Sequence, residues 1–225
     1  MTASAQQTAE SIASEWAALT FVIQQVLNRV ATSTLVQVKG VTNAGELSPV
    51  GFVDVQPLVN LLTGNGESHP HGIVYNVPYM RLQGGTNAII LDPQVGDIGI
   101  CQFASRDISA VKTAKGPANP GSKRQFDYAD GLYIGGVLNG VPEQYIQFAD
   151  GGITVLSPTK ITLQAPQIDI KGPVTQTDGD VSLAQNLSVG DTATAATDVI
   201  GGGKSLKTHT HSGVTPGGGN TGPPT

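Results

Sequence analysis

The sequence predicts a mainly β protein in three stretches: an N-terminal helix, a small β-barrel, and a thin β-helical shaft that several identical chains build together. Three observations carry this. Charged residues make up only 13% of the chain while Gly numbers 29 of 225, a balance that favours turn-rich strands over helices. Helical periodicity is confined to the beginning. Beyond Phe148 there is no Phe, Tyr or Trp, so everything after it must fill its interior with Ile, Val, Leu and Thr, which suits a narrow one.

The first stretch is residues 1–33, with a helix expected from residue 6 to about 31. Ile12, Trp16, Leu19, Ile23, Val26 and Val30 recur at alternating steps of four and three and so share one helical stripe. The same spacing fits a short coiled-coil seam. Docking on its own domain and coiling with sister chains are both open.

Residues 34–144 read as the barrel. Short apolar runs at Leu35–Val38, Gly72–Tyr75, Ala88–Leu91 and Ile98–Ile100 alternate with turn signals at Asn43-Ala44-Gly45, Gly64-Asn65-Gly66, Gly84-Gly85 and Asp92-Pro93. About five short strands in this length suggest a small barrel. Gly116 to Arg124, with its Pro and Lys, reads as an exposed loop.

Residues 145–203 read as the shaft. Alternating triplets Ile153-Thr-Val155, Ile161-Thr-Leu163, Ile168-Asp-Ile170, Val181-Ser-Leu183 and Leu187-Ser-Val189 each put two apolar side chains on one face and a polar one on the other. Pro158, Pro166 and Pro173 interrupt them and forbid a broad sheet. Such strands are too short to stand alone. Stacking the apolar faces of identical chains around one axis buries them and pairs their edges, and three copies is the most economical closure. A single-chain β-helix is the competing reading, but this length makes only a few coils and its ends would need caps.

Residues 204–225 read as the tip. His209-Thr210-His211 puts two imidazoles on the same side of an extended segment. One chain offers too few nitrogens for a closed metal site, whereas three chains offer an octahedral set. Six-coordination disfavours zinc and points first to iron(II), with nickel or zinc possible according to supply. The bland alternative is a solvated Gly/Pro tail. A second pair, His69-Pro70-His71, is interrupted by Pro in a Gly-rich barrel loop and reads as structural or surface; the two pairs hold all four histidines.

Several function classes lose ground on composition. A net charge of -5 and a pI near 5.2 give phosphate backbones little to bind, so no nucleic-acid partner is expected. The single Cys101 allows no intrachain disulfide and reads as a small buried residue beside Ile100 and Phe103. The first ten residues have neither a basic side chain nor an apolar run, so synthesis in the cytoplasm is expected. The strongest apolar stretch, Leu19 to Ile23, is too short to span a bilayer. No catalytic constellation is visible. Asp107, Asp127, Asp130 and Glu143 are scattered through turns and expected to be solvated, and no helical segment is expected after residue 31 to house an enzymatic lobe.

The order of these stretches resembles that of phage baseplate central spikes, the membrane-piercing spike family. The likeness rests on HPHGIVYNVPY at 69–79, GDIG at 96–99, FASRDI at 103–108, DGLYIGG at 130–136 and the terminal HTHSG at 209–213, and it extends from about Leu35 to the end. The resemblance implies an OB-fold barrel seated in the tail hub and an intertwined trimeric β-helix for the shaft. It implies an iron ion at the apex, one per trimer, held by His209 and His211 of three chains, with no catalysis and no small-molecule substrate. The implied partners are the sister chains, baseplate hub and tail tube proteins and the bacterial outer membrane. The implied location is the tail baseplate of a virion made in the host cytoplasm. This chain continues from Ser212 to Thr225, so a sharp apex requires that tail to fold back along the tip.

Two rival readings accompany it. One is the spike of a headless tail or secretion-type injection device. The other is an OB-fold binding module for carbohydrate or nucleic acid, using Lys112, Lys115, Lys123 and Arg124 beside Phe126 and Tyr128. A basic loop that touches hub or tube proteins accounts for the same cations.

Overall fold

A computed structural model describes residues 14–63, 65–213 and 217, and the chain divides into two compact units, 1–161 and 162–225. The fold is mainly β, with one long helix at the N-terminal end and a curled antiparallel sheet.

Helix α1 spans Glu15–Leu27. Ser14 caps it, its Oγ accepting from the Ala17 amide at 3.1 Å and so satisfying one of the free donors of the first turn. It ends at Asn28, short of the expected 31, and Ile12 lies outside the described residues. No residue of α1 is buried, and Trp16 is 77% exposed. The apolar stripe therefore finds no cover within the described part of its own chain.

The sheet is built from β1 (Ser33–Val41), β2 (Phe52–Pro57), β5 (Val74–Pro78), β8 (Ile98–Phe103) and β9 (Gly131–Gly136), in the order β5-β2-β1-β8-β9 with each adjacent pair antiparallel. Tyr79, one residue past β5, bridges Tyr133 of β9 in parallel, and the Met80 amide donates to the Tyr133 carbonyl at 2.8 Å. The edge strands thus meet, which removes much of the free edge. Strict alternation along β2 turns Val53 and Val55 inward, where they join Val36, Val38, Val77, Tyr79, Cys101, Phe103 and Tyr133 as the core. Gly99 is needed here, because a Cβ at that position would run into the Gly135 carbonyl and the Tyr133 ring.

The short strands β3 (Leu61–Leu62) with β4 (Ser68–His69), and β6 (Leu82–Gly84) with β7 (Asn87–Ile89), form two hairpins outside this sheet. The run Ala88–Leu91 is therefore a projecting hairpin arm and not a barrel strand. The sheet instead takes β2, whose inward valines are separated by Asp54 and Gln56, and β9, which is rich in Gly. Neither shows as a continuous apolar run. A six-residue helix α2, Ser109–Ala114, corrects the expectation that nothing helical follows residue 31. Lys112 on α2 extends its Nζ towards the carbonyls of Asn76 and Ala129, at 3.4 and 3.5 Å. After the sheet, β10 (Tyr145–Ala149) and β11 (Gly152–Leu156) pair as a hairpin that includes the Ile153-Thr-Val155 triplet.

In the second unit, the described residues from Thr162 to Val199 carry no strand. The apolar members of the later triplets are all exposed, from 47% at Val189 to 72% at Leu163. A two-residue apolar face needs a neighbouring strand to form a ladder, and a single chain of this sequence supplies none. Regular structure returns at β12 (Ile200–Gly201) and β13 (Lys204–Ser205). Among the described residues, no helix is long and apolar enough to cross a membrane.

Candidate metal centre

The hairpin β12–β13 turns on Gly202 and Gly203, both at positive φ (56° and 77°), the conformation that a two-residue turn between antiparallel strands requires. The Leu206 amide donates to the Val199 carbonyl at 2.8 Å and extends the ladder by one step. The chain then bends into a turn. The His209 amide donates to the Ser205 carbonyl at 3.1 Å. His209 thus closes a turn and does not sit within a strand, and the segment 209–211 carries no strand.

The two imidazoles nevertheless lie together, ring centroids 5.0 Å apart and planes at 80°. Nδ1 of His209 lies 2.9 Å from the Ser205 carbonyl and 3.2 Å from that of Leu206. Both partners accept only, so Nδ1 donates to them, and in the neutral imidazole the lone pair then sits on Nε2. That is the arrangement in which metal-binding histidines are commonly held. Among the described residues there is no group of three or more His, Cys, Asp or Glu near enough to hold a metal. The described residues of one chain therefore bring two imidazoles together and no third candidate ligand. The fold-back expected for Ser212–Thr225 concerns a stretch of which 214–216 and 218–225 lie outside the described residues.

The other histidine pair serves the barrel. His71 packs its ring against Tyr128 at 5.1 Å, and its carbonyl accepts from Gln56 Nε2 at 2.8 Å, while His69 ends β4. Cys101 is fully buried, and burial pushes its thiol up to about 12, far from the thiolate that reactivity needs.

The acidic residues require a correction. Asp107 and Asp130 are not solvated: both are buried, Asp130 completely. Arg124 explains this. Its Nε and Nη2 make a two-pronged contact with Asp130 at 3.1 Å each, and Nη2 also lies 3.1 Å from Asp107. Asp107 further accepts from the Ser109 amide at 2.8 Å and the Ser122 hydroxyl at 2.6 Å. These bonds hold its carboxyl well below the usual range, the Ser109 and Ser122 bonds foremost and the Arg124 charge adding to them, with burial opposing. Asp127 caps the short turn Tyr128–Asp130 by accepting from the Ala129 amide at 2.9 Å, and Glu143 is exposed. The cluster pins the 107–130 connection to the sheet. Arg124 is thus committed to carboxylates, and Lys112 is directed at backbone carbonyls.

A second buried cluster gave no sequence signal. Arg81 donates to Asp92 and to the Ser48 carbonyl at 2.6 Å each, and the Tyr79 hydroxyl donates to Asp92 at 2.6 Å. Asp92 faces burial that opposes its ionisation, yet the bonds from Tyr79, Arg81 and the Gly45 amide leave its carboxyl below the usual range. This ties the β1–β2 loop to the segment before β8.

The architecture and the ending together define a structural tip on a β scaffold. Residues 205–225 match the family described as the GpV Apex motif, which covers the histidine pair and everything after it. The match fits a phage spike tip, a structural role, over these residues. No curated protein matches the chain.

Proposed function

We propose that the chain is the central spike of a contractile phage tail baseplate and that it works as a homotrimer which pierces the host outer membrane when the sheath contracts. The work is mechanical and no substrate is turned over. The single observation that carries this reading is the apex match at 205–225 following a stretch whose apolar triplets stay exposed in one chain. Burying them requires other copies, and three strands converging on one axis would bring three His209 and three His211 side chains together.

The strand order supports an OB-fold for the barrel. Five strands in which the first pairs with the second and fourth, and the third meets the fifth in parallel, make a small Greek-key barrel of that kind. In this reading the barrel seats the trimer against hub and tail tube proteins, residues 145–203 form the shaft and 204–225 the tip. The Nε2 atoms of His209 and the rings of His211 would hold the metal, iron(II) being the best fit to six imidazole nitrogens. The metal supplies coordination bonds that tie three chain ends together and add to folding free energy. The carbonyls of Ser205 and Leu206 orient His209 for that task, and small side chains keep the cross-section narrow.

The test is elemental analysis of the protein purified without added metal. About one ion per three chains is expected from six imidazoles in one octahedral site. The variant carrying His209→Ala and His211→Ala is expected to hold none; equal metal in that variant would remove the site.

A further inference from the structure

Among all described residues after 161, only Asp198 and Ser205 are partly buried. The other described residues of that unit are exposed, so the meeting of these two side chains marks a point of local order built by a single chain. Asp198 Oδ1 accepts from the Val199 amide at 2.8 Å and from the Lys207 amide at 3.1 Å, nine residues on. The Ser205 hydroxyl and the Leu206 amide also bond to this carboxylate, and Ser205 Oγ accepts from the Thr208 amide at 2.9 Å. Asp198 is held below the usual carboxylate range, the Ser205 bond foremost and the amides of Lys207, Val199 and Leu206 adding to it, with burial opposing. One carboxylate therefore gathers the start of the β12–β13 hairpin and the turn that leaves it. That turn presents the two carbonyls that orient His209.

The geometry points to Asp198 as the positioning residue of the metal tip: it touches no ligand atom, but it fixes the turn 205–209 and through that turn aims Nε2 of His209. Asp198 lies seven residues ahead of the matched apex motif, so the tip would begin earlier in the chain than the motif does. The inference rests on the metal reading proposed above. Its physical basis is general. A ligand held by its outer-shell partners loses little freedom on binding, and removal of such a partner typically weakens metal affinity by about 10–100-fold.

The experiment uses full-length protein as wild type, Asp198→Ala, Asp198→Asn, Ser205→Ala, and the double variant His209→Ala with His211→Ala. Each is stripped and reloaded with cobalt(II); affinity is measured by chelator competition and coordination by the visible spectrum. Asp198→Ala is expected to lose affinity by about 10–100-fold and to change the spectrum. Asp198→Asn keeps an oxygen that accepts the same amide hydrogens and is expected to stay near wild type. Ser205→Ala is expected to fall between them. Wild-type affinity and spectrum in Asp198→Ala, beside a metal-free double variant, overturn the positioning role and leave the site intact. Metal retained by the double variant overturns the site and this inference with it. If Asp198→Ala does not assemble, Ser205→Ala and Asp198→Asn decide: weaker binding in the first and near-normal binding in the second support the role, and any other pattern overturns it.

Discussion

Arg124 meets two carboxylates with one guanidinium, and Asp107 is held well below the usual carboxylate range, chiefly by its Ser109 and Ser122 bonds. Its folded-state value lies below the unfolded value of about 3.9, so its contribution to stability is fully present above that pH and is lost as pH falls towards the folded value. Every Phe, Tyr and Trp lies at or before Phe148, so intrinsic fluorescence follows the first unit and nothing after it. Thermal unfolding followed in this way is expected to weaken between about pH 5 and pH 2, and to weaken less in Asp107→Asn. Parallel pH curves for the two proteins would contradict the assignment. Cys101 is expected to resist thiol reagents until the barrel unfolds, since burial keeps its thiol protonated; rapid labelling of the folded protein would count against the core described here. At this scale His209 and His211 drew attention through their place after an aromatic-free stretch, since His69 and His71 share the same spacing. The burial of Asp107 and Asp130 was not visible, because it depends on Arg124 arriving from a loop that reads as exposed. Nor was Asp198, an ordinary Asp ahead of a Gly-rich turn.

The elements differ in how much of their structure is local. The helix was legible from its stripe but not its Ser14 cap, and the hairpin β12–β13, which turns on Gly202 and Gly203, was not read from the sequence. The sheet was legible only in part. Runs of Ile, Val and Leu flag strands with two apolar faces, so β2, which alternates, and β9, which is Gly-rich, passed unmarked, while a projecting hairpin was taken for barrel. Val55→Ala, at the centre of the core, is expected to destabilise the barrel by roughly 1.5–3 kcal/mol, counting lost burial and the cavity left behind. Removal of residues 1–28 is expected to leave the barrel's melting temperature unchanged, since no described residue of α1 is buried. A large loss would show that the helix packs on its own domain. In the shaft, Ile170→Asp places a charge on the face shared with Ile168. It is expected to reduce assembly of the full chain, and an unchanged sedimentation profile would show that this triplet does not point inwards.

For the whole molecule, one chain leaves too much undone. The stripe of α1, the hairpin β10–β11 and the later triplets all present apolar side chains to solvent, and the tip offers two imidazoles where an octahedral ion needs six. A threefold axis answers the shaft and the tip at once, which is why oligomeric state outranks any single substitution as a test. Sequence reasoning reached this idea from the lack of aromatic residues after Phe148, a property of composition that survives without any knowledge of contacts. The measurement is the mass of the intact protein in dilute solution by sedimentation equilibrium or native mass spectrometry. Three times the chain mass of 23.1 kDa is the expected result, and a stable, folded species of 23.1 kDa would contradict the account.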